Sequence, residues 1–425
     1  MRHAKNGWWA GVVLGWAGLA LPVQALTLTE AIGQALQDDP AAGSVRAQAL
    51  AAGADAERAR AARWPVLSLG ASASDQSGLP QPRGISPQVH YTLYAGGAIE
   101  AGVLQAEAQQ RQAGHRAQSS LDELAAQTAE AYLAWARAHE LVRLAQDNLK
   151  AHELIRDDMR KIVEVDPGRQ VDLNQAAVRV SNARLALTQR ETERARAQAQ
   201  LLRYVPTAAP AQPAGLDEEP GALPLSLEEA LARAADTHPQ LAQAVAQWQA
   251  ANAAVAVARG QTRPRVDVSL SRHYNTYTRR TEPLAQLSLN MPVFNGGAGA
   301  AVVNAAQAQE NAARLSLQEQ RLLVRQRIGM AWAEWQGTRE RERESTQQSN
   351  DGRSLAEAYR MQFKLARRSL LDLLNVQNEA YTYATSAVTA RYDRRIARYR
   401  LGAALGELSA RWAPADVQAR AQAGS

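Results

Sequence analysis

The sequence predicts an α+β membrane protein in which long antiparallel α-helices form a coiled-coil barrel and four β-strands per chain contribute to a shared transmembrane β-barrel. Three observations lead to this fold class. The chain repeats itself internally, two very long stretches contain no proline, and four short segments alternate apolar with polar residues. Alanine supplies much of the apolar content while only two phenylalanines occur, which is typical of closely packed helices.

Residues 1–25 are predicted to be a signal peptide. Arg2 and Lys5 precede an apolar run that begins at Trp8, and the segment VQA at 23–25 ends in a small residue, as a cleavage site requires. The alternative is a membrane anchor, for which the run is short. Cysteine is absent, so the sequence excludes disulfides and thiolate sites. The formal charge of +6 comes from interleaved acidic and basic residues, which disfavours a nucleic-acid binder.

The chain contains two copies of one plan. Pro40, Pro65, Gly96, Trp135 and Asp172 each have a counterpart 199 or 200 residues later, in matching sequence surroundings. We therefore predict a first structural repeat at 26–205 and a second at 225–412. A proline-rich linker at 206–224 separates them, and a C-terminal tail follows at 413–425.

Each repeat opens with two helices and continues into a β-hairpin, at about 65–95 and about 264–294. Alternating apolar and polar residues there extend over about nine to eleven positions, the length that a tilted strand needs to cross a bilayer. A soluble sheet with one buried face is the alternative. Four strands cannot close a barrel, and open sheet edges are not tolerated in lipid. Two or three copies of the chain must therefore share one barrel.

A long helix follows each hairpin and a return helix brings the chain back. The first long helix should cover 98–165 and end at the segment DPG, 166–168. The second long helix has no strong helix breaker at its end, so the internal duplication alone predicts that its turn lies near 366–368. The strand-to-helix corners are predicted at two glycine pairs, which supply backbone freedom: Gly96, Gly97, Gly296 and Gly297.

This plan resembles the TolC family across nearly the whole predicted mature chain. The segments PVFNGG at 292–297 and SLLDLLN at 369–375 carry the most specific matches. The resemblance implies a homotrimer with a 12-stranded barrel in the outer membrane and a helical tunnel reaching into the periplasm. It also implies two partners at the helical tip, a periplasmic adaptor (membrane fusion) protein and an inner-membrane transporter of the ABC type.

The resemblance further implies a periplasmic gate. The positions that match it are Arg368, Asp372 and Asn375. At the position of Asn375, relatives often carry a second acidic residue. Asp172 matches a residue that tethers neighbouring coils, and Phe363 stands where some relatives have a tyrosine hydroxyl. Independently, three copies of Asp372 at a narrow opening would repel one another and favour cations. Stabilisation of a helix N-terminus is the structural alternative for this aspartate.

Adaptor docking in relatives uses small turns, which Gly168, Arg169, Ala366 and Arg367 match. The segments 162–169 and 368–379 resemble the branch that serves type I protein secretion, and drug or metal efflux is the alternative function. A periplasmic coiled-coil scaffold is a more distant one, because it leaves the hairpins without a purpose. No catalytic, cofactor or metal residues are predicted: both His-Glu pairs lack the second histidine of a zinc helix.

Overall fold

The computed structural model describes residues 26–73, 83–206, 212–216, 223–275 and 280–412. The predicted signal peptide, the C-terminal tail and most of the linker lie outside these residues. The first repeat contains α1 Leu28–Asp38, α2 Pro40–Ala61, β1 Val66–Ala73, β2 Arg83–Tyr94, α3 Ala98–Val165, a 3-10 helix Pro167–Arg169 and α4 Gln170–Leu202. The second contains α5 Leu227–Thr237, α6 Pro239–Gln261, β3 Arg265–Asn275, β4 Arg280–Asn290, α7 Ala298–Lys364, α8 Leu370–Leu405 and α9 Ser409–Trp412.

Local sequence explains where these helices begin. Thr27 and Glu30 form a reciprocal capping box at the start of α1, and the Ser226 hydroxyl accepts a hydrogen bond from the Glu229 amide at the start of α5. Proline opens α2 and α6, where its missing N–H costs nothing. The two long helices α3 and α7 have 68 and 67 residues, which corresponds to about 100 Å at 1.5 Å per residue.

The four strands form one antiparallel sheet in the order β1-β2-β3-β4. Registered rows show that the two faces differ in polarity. An apolar row crosses the sheet through Leu67, Val89, Leu270 and Ala285, and a polar row crosses β2 to β4 through Thr92, Asp267 and Ser288. The alternation predicted from the sequence is therefore present in the sheet. β4 ends at Asn290, short of the predicted 294, because residues 291–294 have no strand partner within the described part of the chain.

The helices pack side by side through small residues. α6 packs against both α3 and α7 next to the sheet, and α8 packs against both α3 and α7 nearer the tips. The largest apolar cluster surrounds Tyr132 and Trp135 of α3 where α1 and α8 meet it, and the second repeat has a smaller counterpart around Trp332. Among the described residues, no helix is both long enough and apolar enough to cross a bilayer.

Candidate functional site at the helical tips

The first turn at the tips joins α3 to α4 and is built by a short polar motif. Asp166 ends α3, and its carboxylate accepts a hydrogen bond from the Gly168 amide at 3.2 Å. Pro167 cannot continue the helix with a normal hydrogen bond. Arg169 forms an ion pair of 2.9 Å with Asp172 in the first turn of α4. The turn is therefore stabilised by its own residues and presents Gly168 to solvent.

The second turn joins α7 to α8 without glycine or proline. Ala366 adopts a left-handed conformation with φ of 56°, an uncommon state for a residue that has a side chain. The Arg367 amide then donates to the Gln362 carbonyl at 2.9 Å, which closes the end of α7. Ser369 caps α8, since its hydroxyl accepts a hydrogen bond from the Asp372 amide at 3.1 Å.

A buried apolar cluster holds the two turns together. Its members come from all four helices that reach the tip, α3, α4, α7 and α8, and are Ile155, Met159, Ala176, Phe363, Leu370, Leu373 and Leu374. Phe363 is 6% exposed and contributes to this core. The candidate gate residues therefore project from one packed unit at the tip.

The structure places the polar candidates on this unit with different partners. The Arg368 guanidinium lies 4.6 Å from the centre of the Tyr359 ring and donates to the Gln362 side chain at 3.0 Å. The Asp372 side chain is half-buried in the first turn of α8, where the helix dipole favours a negative charge. The exposed Asn375 accepts a long hydrogen bond of 3.5 Å from Arg179 of α4.

Asp172 and Phe363 occupy different environments. Asp172 pairs with Arg169 of its own turn, whereas Phe363 belongs to the apolar cluster. Sequence reasoning missed Arg179 as a member of the site. Its spacing was a usable signal, because Arg179 follows Asp172 by seven residues and therefore lies on the same face of α4.

A histidine lies buried farther up α3. Burial lowers the pKa of His152, and the positive charge of Arg179 lowers it further. The imidazole is therefore neutral near pH 7, and Arg179 supplies a positive charge between it and the tip. Within the described residues, no group of three or more acidic or histidine side chains forms a candidate metal site.

Arginines on α8 form ion pairs with α3 of the first repeat and α7 of the second. Arg391 pairs with Glu140 of α3 at 2.5 Å. Arg400 pairs with Glu130 of α3 at 2.7 Å and with Glu334 of α7 at 2.9 Å. Single exposed pairs contribute little, but a side chain shared by two helices fixes their relative position. Any motion of α8 against α3 and α7 therefore has to break these pairs.

Two glycine pairs at the opposite end of the long helices adopt left-handed backbone. Gly96, Gly97, Gly296 and Gly297 have φ values of 63°, 87°, 66° and 90°. The second glycine of each pair is the N-cap of a long helix. Left-handed backbone at two successive positions turns the chain from a strand into a helix that extends away from the sheet.

Comparison with known proteins agrees with this architecture. The family model described as "Outer membrane efflux protein" matches residues 31–205 and 230–407, one match in each repeat. Protein CyaE of Bordetella pertussis is 28% identical over 74% of this chain and 70% of its own length. The outer membrane efflux protein BepC of Brucella suis is 26% identical over 67% of this chain and 63% of its own length.

The fold is also that of a solved channel. The open state of the MtrE outer membrane channel of Neisseria gonorrhoeae aligns with a TM-score of 0.78 at 20% identity, covering 90% of this chain and 89% of that one. This fold and the family model belong to channels rather than enzymes. The protein lies in the outer membrane and extends into the periplasm. From the two matched repeats and the TolC-like fold it follows that the chain belongs to the outer membrane efflux protein family.

Proposed function

We propose that this chain forms a homotrimeric channel-tunnel that serves as the exit duct of a tripartite type I secretion system. The observation that carries the proposal is the four-stranded sheet, which has one apolar and one polar face and two edge strands without an outer partner in the described part of the chain. Such a sheet is stable in lipid only when its edges are paired and its polar face is turned away from the hydrocarbon. Three copies supply twelve strands, enough to close a barrel around a polar lumen.

The long helices continue the duct beyond the membrane. α3 and α7 leave the sheet at equivalent glycine corners and have nearly equal lengths, so both turns end at the same level. In a trimer, the apolar cluster at the helical tips would place three copies each of Arg368, Asp372 and Asn375 around one axis. The three Asp372 carboxylates would then repel one another and favour cations, while their side chains would occupy part of the periplasmic opening.

The exposed turns are the proposed docking sites for the other two components. Gly168, Ala366 and Arg367 are exposed and project beyond the apolar cluster, and Arg169 is half-buried by its ion pair. An adaptor protein would bind these turns and link the duct to an ABC-type transporter of the inner membrane. The small side chains at 168 and 366 permit close approach of another backbone.

Protein is the proposed cargo. The segments 162–169 and 368–379 support this choice because they resemble the type I secretion branch and lie at the turns where a dedicated adaptor would bind. Efflux of drugs or metals is the second candidate, favoured by the description of the matching family and by the name of the relative BepC.

The secreted proteome of cells lacking this chain separates the two. We expect one large protein to disappear from the medium or cell surface and to return when the wild-type chain is supplied again. A variant with Arg169→Ala and Arg367→Ala, which leaves the tip cluster intact, should restore the channel but only part of the secretion. An unchanged secretome with new sensitivity to dyes or detergents would contradict the secretion role and support efflux.

A further inference from the structure

A cavity lies where α6 and α8 meet between the two long helices. Gly406 follows α8 and packs on Pro239, the first residue of α6. The cavity beside this contact has a volume of about 710 Å³, and its walls also include α3 and α7. That volume lies within the range of about 300–1,000 Å³ that small-molecule sites have. Apolar side chains of Ala126, Met330 and Ala403 line it, and Met330 is 65% exposed, so the cavity is open to solvent there.

The cavity coincides with two differences between the repeats. In the first repeat, an ion pair between Asp39 and Arg203 bridges the start of α2 and the end of α4. The duplication places His238 and Ala403 at the equivalent positions of the second repeat. Alanine cannot reach across the junction, and His238 instead forms a hydrogen bond with the Ala404 carbonyl at 3.1 Å. The second repeat therefore leaves open a space that a long side chain bridges in the first.

One buried carboxylate in the cavity wall has an unsatisfied oxygen. Asp122 of α3 lines the cavity and is 3% exposed. Its Oδ1 accepts a hydrogen bond of 2.5 Å from the Ser409 amide at the start of α9, but its Oδ2 has no hydrogen-bond partner in the described part of the chain. Burial raises the pKa of this carboxyl, because the charged form is deprived of water. A donor that enters the cavity would therefore be stabilised at Oδ2.

The charges around the cavity favour a cation. Within the described part of the chain, the wall contains four carboxylates and two guanidinium groups, which belong to Asp122, Glu123, Glu130, Glu334, Arg327 and Arg400. At the end of the cavity nearer the tips, Arg400 forms ion pairs with both Glu130 and Glu334, so two carboxylates share one positive charge. The excess of negative charge disfavours an anion in this cavity.

The spacing of the carboxylates suits an organic cation better than a metal ion. Among the described residues, no three acidic or histidine side chains are grouped closely enough to hold a metal. Asp122 and Glu130 stand eight residues apart on α3, which separates them by about 12 Å along the helix axis. The wall between them is apolar at Ala126. A molecule with one ammonium group and an apolar body matches this pattern.

We propose that this cavity binds primary alkylammonium or arylalkylammonium ions, whose ammonium group donates a hydrogen bond to Oδ2 of Asp122 while the apolar body lies against Ala126, Met330 and Ala403. The site lies within one chain, so it goes beyond the proposed secretion duct and does not depend on its cargo. A primary ammonium group supplies both a hydrogen-bond donor and the opposite charge. Hydrogen bonds of this charge-assisted kind are roughly twice as strong as those between neutral groups.

Calorimetric titration of the detergent-folded protein with phenylbutylamine at neutral pH tests the site. Phenylbutanol and phenylbutyrate are the matched ligands, because they carry the same apolar body with a neutral or an anionic end group. The heat of each ligand entering detergent micelles alone is subtracted. We expect the amine to bind at one site per chain, and both matched ligands to bind at least about tenfold more weakly.

Three variants locate the binding site. Asp122→Asn keeps the size of the side chain and an acceptor for the Ser409 amide but removes the charge, and it should weaken amine binding at least about tenfold. Glu123→Gln removes an exposed charge from the neighbouring position and should change the affinity less than about twofold. Met330→Trp fills the open side of the cavity without altering Asp122 and should weaken binding as much as Asp122→Asn does.

Each contrary result overturns a defined part of the proposal. Equal affinity for the amine and the alcohol would overturn the preference for a cation and leave water as the occupant of the cavity. Equal losses in Asp122→Asn and Glu123→Gln would overturn the role of the buried carboxylate. If Asp122→Asn does not fold, Met330→Trp decides the question, because an unchanged affinity in that variant would place the amine outside the cavity.

Discussion

Replacement of Gly96 by alanine should be clearly more destabilising than the same change at Gly97. Both residues have positive φ, 63° and 87°, so both variants carry a left-handed backbone penalty of about 1–2 kcal/mol. Only Gly96 is crowded: the new Cβ would lie 2.5 Å from a carbonyl oxygen and 2.6 Å from a side-chain carbon. Relieving that overlap requires α6 to move away from the corner, which adds about 1–3 kcal/mol.

Gly97→Ala is the matched control, because no atom lies within 4 Å of its added Cβ. We expect losses in the free energy of unfolding of about 1–2 kcal/mol for Gly97→Ala and about 2–5 kcal/mol for Gly96→Ala. Guanidinium titration of the detergent-folded protein, followed by tryptophan fluorescence, measures the difference in midpoint. Equal midpoints for the two variants would refute the close packing between the Gly96 corner and α6.

Three further changes test other parts of the molecule. Asp372→Ala should raise single-channel conductance and weaken cation preference in planar bilayers, because the carboxylate ring is removed; an unchanged record contradicts the gate. Tyr132→Phe should lower the free energy of unfolding by about 1–3 kcal/mol, because the Ala214 amide loses the hydroxyl that it contacts at 2.9 Å; an unchanged guanidinium midpoint contradicts this. Burial lowers the pKa of His238 in the folded state. The neutral imidazole therefore contributes fully to stability above the pKa of the unfolded state, about 6.5, and this contribution is lost as the pH falls below that pKa. His238→Asn should keep the helix cap and reduce the loss of thermal stability between pH 7 and 5; a loss equal to wild type contradicts the assignment.

Much of the fold could be predicted from the sequence because its determinants are local. Proline and glycine mark the ends of helices, alternation marks the strands, and the duplication transfers each assignment from one repeat to the other. The α7–α8 turn shows where local signals end. Ala366 adopts positive φ although alanine has no preference for it, so only the repeat placed that turn.

The candidate site was less predictable because its contacts join distant segments. Asn375 meets Arg179, 196 residues earlier in the chain, and Arg400 meets Glu130 across 270 residues. No rule based on local sequence spacing predicts a contact between residues so far apart in the chain. The sequence identified the residues near each turn, but the partner of Asp172 is Arg169, and Phe363 is a core residue of the tip. The place of Phe363 required the packing of four helices around one apolar cluster, whereas the pair of Asp172 with Arg169 is a local i,i+3 contact.

The sheet joins segments that are very unequally separated along the chain. Within each β-hairpin the paired residues lie at most about 25 positions apart, and each helical hairpin closes at a short turn, so both can begin to form early and independently in each half. The β2–β3 pairing closes a loop of 175 residues between Thr92 and Asp267. The entropy of closing that loop delays this step until the second half exists. The nascent protein therefore passes through a stage with two separate hairpins whose unpaired edges must be kept apart from other chains.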